Sequence, residues 1–187
     1  MGHADFIDKL GLQQDVLRKV RDALGLAQKA HRGQVRDQGT PYIEHPVEMT
    51  RILAQELGIR EPDLLIAALL HDVLEQSDVP PEDIRERFGD RAASLVLALT
   101  RHRQGAPGPK TSFKDYLLRV SRSGPEAVLL KLVDRWSNLK ELGSCPDAEK
   151  RRKYLAETEE IILPMLKGAT HAAARTALAE IEKLLKA

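Results

Sequence analysis

The chain has 187 residues, 42% of them hydrophobic and 30% charged, and carries a net charge of +1. That length fits one domain with its own core, and a near-neutral charge gives no global attraction for nucleic acid or an acidic membrane. Cys145 is the single cysteine, which excludes an internal disulfide and a cysteine-based zinc site and suits a reducing, cytoplasmic compartment.

The N-terminal stretch MGHADFIDKLG has two aspartates and no long apolar run, so it does not read as a secretory signal. Val16, Val20, Ala23, Leu24, Ala27 and Ala30 recur at helical spacing and predict a helix over 13–32. The following GQVRDQGTPYIEHP, 33–46, holds two glycines and two prolines and reads as a structured loop. Pro46 suits a first helical turn and predicts a helix to about Leu57. Residues 62–76 are apolar nearly all round, which predicts one continuous helix at the centre of a bundle. Their aliphatic block LLIAALL, 64–70, is too short to span a bilayer. SDVPPEDIRERFG, 77–89, predicts a capped start, a short helix and a stop at Gly89, with a further helix at about 90–101. RHRQGAPGPK, 101–110, reads as a cation-rich loop. Helices are predicted at 111–122, 125–142, 147–167 and 170–186. The apolar stripe of the last one either caps the bundle or meets a partner subunit in a homo-oligomer. With no strand-like alternation and no repeat, the fold class is an all-α bundle of eight or more helices in one domain over 1–187.

Chemistry concentrates at a few positions. His31 in KAHRGQ, His71 and Asp72 in LLHDVLE, and Asp134 in KLVDRWSNL form a mixed nitrogen and oxygen donor set. Such a set suits Mn²⁺, Fe²⁺, Co²⁺ or Zn²⁺. Adjacent helical residues point about 100° apart, so His71 and Asp72 need donors from other segments to share one ion. A buried unpaired aspartate is costly, and an ion would partner Asp72 and Asp134 together. Glu75 lies four residues after His71 and, on a continuous helix, shares its face. There a carboxylate can hold or deprotonate a metal-bound water. Lys131 and Asn138 flank Asp134 at helical spacing and face the same way. Arg36 and the loop cations Arg101, Arg103 and Lys110 are phosphate-binding candidates. His45 reads as loop or outer support of the site and Tyr42 as packing beneath the loop. Trp136 reads as core, and His102 and His171 as surface residues.

Together, AH-x-GQ-x-R with G-x-PYI-x-HP, LLHD-x-x-E and KL-x-DR-x-x-N resemble the hydrolase domain of the RelA/SpoT family, a branch of the metal-dependent HD phosphohydrolases. The resemblance covers about 15–167. It implies an all-helical fold, a bound Mn²⁺, and hydrolysis of the 3′-pyrophosphate of guanosine tetra- or pentaphosphate to GDP or GTP and pyrophosphate. It further implies His31, His71, Asp72 and Asp134 as metal ligands, Glu75 with Asp72 as the catalytic pair, and Asn138 and Tyr154 as nucleotide contacts. With no room for a synthetase domain in 187 residues, the expectation is a small stand-alone alarmone hydrolase.

Two positions depart from the family pattern. Gln76 stands where HD-x-x-ED has an aspartate; its amide cannot act as a base or carry charge, which leaves it a supporting place behind Glu75. Asp37 stands where a lysine is common. Both motivate an alternative, a phosphohydrolase for an adenosine alarmone or NADPH; a third reading, a catalytically silent module that senses alarmone or metal, keeps the metal set without the chemistry, and Glu75 argues against it.

Overall fold

The structure, a computed structural model, describes residues 2–102 and 111–186. Among them, helices α1 (His3–Asp8), α2 (Gln14–Ala30), α3 (Glu44–Arg51), α4 (Pro62–Leu70), α5 (Val73–Gln76) and α6 (Pro81–Phe88) form the first half. Helices α7 (Asp90–Leu99), α8 (Phe113–Arg122), α9 (Pro125–Leu142), α10 (Ala148–Glu157), α11 (Leu163–Leu166) and α12 (Ala172–Lys186) complete the bundle. A single isolated bridge, Val35 with Pro41, is the sole extended pairing in the described residues.

Local chemistry sets these boundaries. Pro62, Pro81 and Pro125 each stand in a first turn, where the missing N–H has no intrahelical partner to lose. The Ser112 hydroxyl accepts from the Asp115 N–H at 3.1 Å and the Asp147 carboxylate from the Lys150 N–H at 2.9 Å, capping α8 and α10. Gly89 joins α6 to α7 at φ +95° and Gly124 joins α8 to α9 at φ +107°, conformations that a side chain would strain.

Seven of the nine residues of α4 are buried, Leu64 through Leu70. It packs against α2, α3, α7 and α9, so the predicted central position is what the fold contains. The second central element is α9, which carries eleven buried residues. Helix α12 lays Ala174, Ala177 and Ile181 against α9, so its apolar stripe caps the bundle.

Three expectations differ from the structure. The helix expected over 62–76 is interrupted at His71–Asp72, where Asp72 drifts to φ −100°, ψ −6° and its carbonyl accepts from both Glu75 and Gln76 at 3.0 Å. The helices expected to 57 and over 147–167 pass through π segments, Ile52–Glu56 and Thr158–Ile162. Such wide turns insert a residue without any signature in the apolar period. Helix α1 escapes a periodicity reading because six residues show less than two turns, yet Phe6 and Ile7 are buried in the core. No helix of the described residues is long and apolar enough to cross a membrane.

Candidate metal centre and cleft

Three segments meet below a cleft. The first turn of α3 carries His45, the break between α4 and α5 carries His71 and Asp72, and the middle of α9 carries Asp134 and Asn138. The break has a geometric effect. On an unbroken helix the side chains of His71 and Asp72 would diverge; here His71 Nε2 and Asp72 Oδ2 lie 2.9 Å apart.

The histidine protons follow from their partners. His71 Nδ1 lies 2.9 Å from the Ala68 carbonyl oxygen, which only accepts, so Nδ1 carries a proton. Its Nε2 is buried and makes no directed hydrogen bond, because the ring N–H direction misses Asp72 despite the short distance. Two donor atoms sharing one ion at about 2.1 Å each are separated by about 3 Å, close to the distance seen. His45 Nδ1 is 3.1 Å from Ser137 Oγ, and its Nε2 is 3.1 Å from Asp134 Oδ1. His45, His71 and Asp134 offer ligand atoms within 4.8 Å of one another. His45 therefore sits inside the donor cluster, where the sequence suggested only support.

His31 is placed differently. It is buried, and its Nδ1 donates to Gln34 Oε1 at 2.8 Å, while the Gln34 amide nitrogen donates to the carbonyls of Ala30 and Gln76. Its Nε2 is buried and unpartnered, but His31 is not a member of the three-residue cluster. Its ring stacks on Tyr42 at 4.7 Å. The Tyr42 hydroxyl donates to Asp72 Oδ2 at 2.6 Å, so one tyrosine touches both His31 and Asp72. The sequence suggests only packing for Tyr42; its place inside G-x-PYI-x-HP is the signal that points further.

Asp134 is held from every side. Lys131 Nζ donates to its Oδ2 at 2.6 Å and Asn138 Nδ2 to its Oδ1 at 2.7 Å. Burial pushes this carboxyl's pKa up, but Lys131 and His45 overcome that and hold it well below the usual carboxylate range. Arg36 Nη2 donates in turn to Asn138 Oδ1 at 2.6 Å, and Arg36 Nε pairs with Glu141 at 3.1 Å. The loop bearing Arg36 closes on itself through Arg36 N–H to the Thr40 carbonyl, 2.9 Å, and Gly39 N–H to the Arg36 carbonyl, 2.8 Å, with Gly39 at φ +81°.

The other titrations divide cleanly. Burial lowers the pKa values of His31 and His45, so both are neutral at pH 7. Burial also lowers His71, but Asp72 beside it dominates and raises it to about 9 in the ion-free protein. The same pairing depresses Asp72 despite its burial. Glu75 is raised, by burial first, while its Oε1 accepts from the Arg101 backbone N–H. The charges of Asp72, His71 and Lys131 all act on it, which places it beside the cluster.

A cleft of about 410 Å³ opens over these groups, and Arg36, His45, Asp72, Lys131, Asp134, Asn138 and Tyr154 line it. Seven candidates from the sequence thus share one surface with Tyr42, expected only as packing, and with Arg135, which stands in KL-x-DR-x-x-N without a role assigned to it. His31, His71, Glu75 and Gln76 are not on that lining; Gln76 contributes its carbonyl to Gln34. Asp37 and Lys150 form an ion pair at the cleft edge. Arg101 donates to the Thr111 carbonyl at 3.3 Å and stacks over Phe113. Arg103 and Lys110 lie outside the described residues.

The neutral imidazole of His45, that of His71 once it gives up its proton, and the carboxylates of Asp72 and Asp134 fit a divalent transition ion. The buried, unpartnered Nε2 of His71, 2.9 Å from the Asp72 carboxylate within the donor cluster, is the observation that asks for one.

A profile of the HD domain family matches residues 23–165. The bifunctional (p)ppGpp synthase/hydrolase SpoT of Escherichia coli strain K12 is 36% identical over 160 residues, covering 82% of this chain and 22% of that protein. A guanosine-3′,5′-bis(diphosphate) 3′-pyrophosphohydrolase of Aquifex aeolicus is 39% identical over 149 residues, covering 79% and 21%. The chain therefore spans about a fifth of the length of these curated relatives. A solved structure of a metazoan ortholog of SpoT that hydrolyses ppGpp and plays a role in starvation responses superposes with a TM-score of 0.75 at 26% identity, covering 90% of this chain and 94% of that one.

Proposed function

The chain belongs to the HD domain family, and on that premise we propose that it is a divalent-metal-dependent hydrolase of the 3′-pyrophosphate of guanosine tetra- or pentaphosphate. The products are GDP or GTP and pyrophosphate. The convergence of His45, His71, Asp72 and Asp134 beneath a cation-edged cleft carries this reading. The activities named for the relatives and the structural neighbour support the substrate.

The geometry favours His45, His71, Asp72 and Asp134 as the ligand set, with His45 in the place that the family resemblance gives to His31. Mn²⁺ is the ion that the resemblance favours, and the same donors suit other divalent transition metals. A bound ion of this kind supplies charge stabilisation to a phosphoryl oxygen and acidifies its water.

The chain's own groups do the remainder. Glu75 has a raised pKa and one oxygen fixed by the Arg101 N–H, which leaves Oε2 to receive the proton of the attacking water. Tyr42 holds the Asp72 carboxylate in one orientation. Lys131 and Arg36, each tied to the Asp134–Asn138 network, present positive charge to the polyphosphate. Asn138 and Tyr154 face the same cleft as nucleoside contacts.

A second reading, another nucleotide as substrate, rests on Asp37. Its carboxylate neutralises Lys150 at the cleft edge where the family commonly has a lysine. The discriminating experiment incubates the purified protein and Mn²⁺ with guanosine tetraphosphate, its adenosine counterpart and NADPH. Pyrophosphate from the guanosine compound at the highest kcat/KM is expected. Turnover of only another substrate would favour the second reading, and tight binding without any turnover would make the chain an alarmone-binding module.

A further inference from the structure

Arg135 follows Asp134 in α9 and is 3% exposed, yet nothing in the chemistry above uses it. A buried guanidinium needs partners, and those of Arg135 all come from one direction. Nη2 donates to Glu157 Oε1 at 2.5 Å, Nη1 to Thr158 Oγ1 at 3.3 Å, and the carbon between them lies 3.9 Å from the centre of the Tyr154 ring. Its Nε has no hydrogen-bond partner among the described residues. Every one of these partners lies on α10 or at its C-terminal end.

Helix α10 needs such a tie. None of its ten residues is fully buried, although Tyr154 and Leu155 pack against the core. Apart from Arg135, its polar side-chain ties to other elements among the described residues are the Asp37–Lys150 ion pair, whose side chains are 52% and 53% exposed, and a bond from Arg151 to the Cys145 carbonyl. An ion pair that exposed contributes little. A guanidinium stacked on an aromatic face away from water contributes more.

We infer that Arg135 is a positioning residue that holds α10 and the Tyr154 ring as one wall of the substrate cleft. Arg135 and Tyr154 both line that cleft, and Arg135 is covalently next to Asp134. One residue step in α9 therefore links the floor of the metal centre to the wall against which a nucleoside would lie. The link through Tyr154 to substrate rests on the function proposed above; the link from Arg135 to α10 does not.

The test uses the intact protein. Arg135→Lys keeps the charge but loses the planar stack and the forked donors. Glu157→Gln, at a half-exposed position, loosens the same tie without touching α9. For each, KM for guanosine tetraphosphate should rise about tenfold with kcat within about threefold, and amide exchange over residues 148–157 should accelerate while α9 keeps its protection. In a Tyr154→Leu background, Arg135→Lys should add nothing further to KM, because its effect passes through the ring. Additive KM effects, or unchanged exchange over 148–157 in both variants, would overturn the inference. If the wild type neither binds nor cleaves the nucleotide, the proposed function fails, and the exchange measurement still decides the role of Arg135.

Discussion

At the scale of single residues, the His71–Asp72 pair and Asp134 were legible because a buried histidine beside an aspartate in an apolar run demands a partner. His45 was not. Its sequence neighbourhood, YIEHP, gives no sign that the first turn of α3 aims it at Asp134; only the chain's path in space does. Metal binding should register this. His45→Ala should weaken Mn²⁺ affinity by more than about a hundredfold, as for loss of an inner ligand, and His31→Ala by about ten- to a hundredfold, as for a supporting group. Calorimetric titration with Mn²⁺ checks both, and the reverse order would return His31 to the ligand set. His71 adds a pH dependence. Its pKa in the ion-free protein is raised to about 9 from an unfolded value near 6.5. The stability that this raised pKa contributes is therefore fully present below about pH 6.5 and lost as pH rises through 9. Metal takes the neutral imidazole, so Mn²⁺ affinity should climb from pH 7 to about 9, with about one proton released per ion at pH 7. Titrations in two buffers of different ionisation enthalpy measure that proton.

At the scale of elements, helix positions followed from apolar period, proline and glycine, and the irregularities did not. The break at 71–72 and the two π segments leave the hydrophobic pattern of their helices intact, so no reading of periodicity finds them. Yet the break is what brings His71 Nε2 within 2.9 Å of Asp72, and a π segment closes the helix that carries Tyr154. Helix α4 shows the opposite case, an element whose pattern gave its place. Leu69 is fully buried there, two residues before His71. Leu69→Ala should cost about 2–5 kcal/mol in urea unfolding. A loss below about 1 kcal/mol would contradict the central packing assigned to α4.

For the whole molecule, the all-α class and the order of the motifs were readable, while the cleft was not, because its lining is gathered from the loop at 35–42, α3, the 71–72 turn, α9 and α10. A common fold does not fix a substrate; the donor cluster and its cationic rim make the case here. The most direct test of that case is pyrophosphate release from guanosine tetraphosphate, followed as Mn²⁺ is titrated into metal-free wild type and Asp72→Ala. The account predicts turnover that appears with about one equivalent of Mn²⁺ in the wild type and is reduced at least about a thousandfold in Asp72→Ala, together with its metal affinity. Turnover that persists without metal, or an Asp72→Ala variant that cleaves at the wild-type rate, would contradict it.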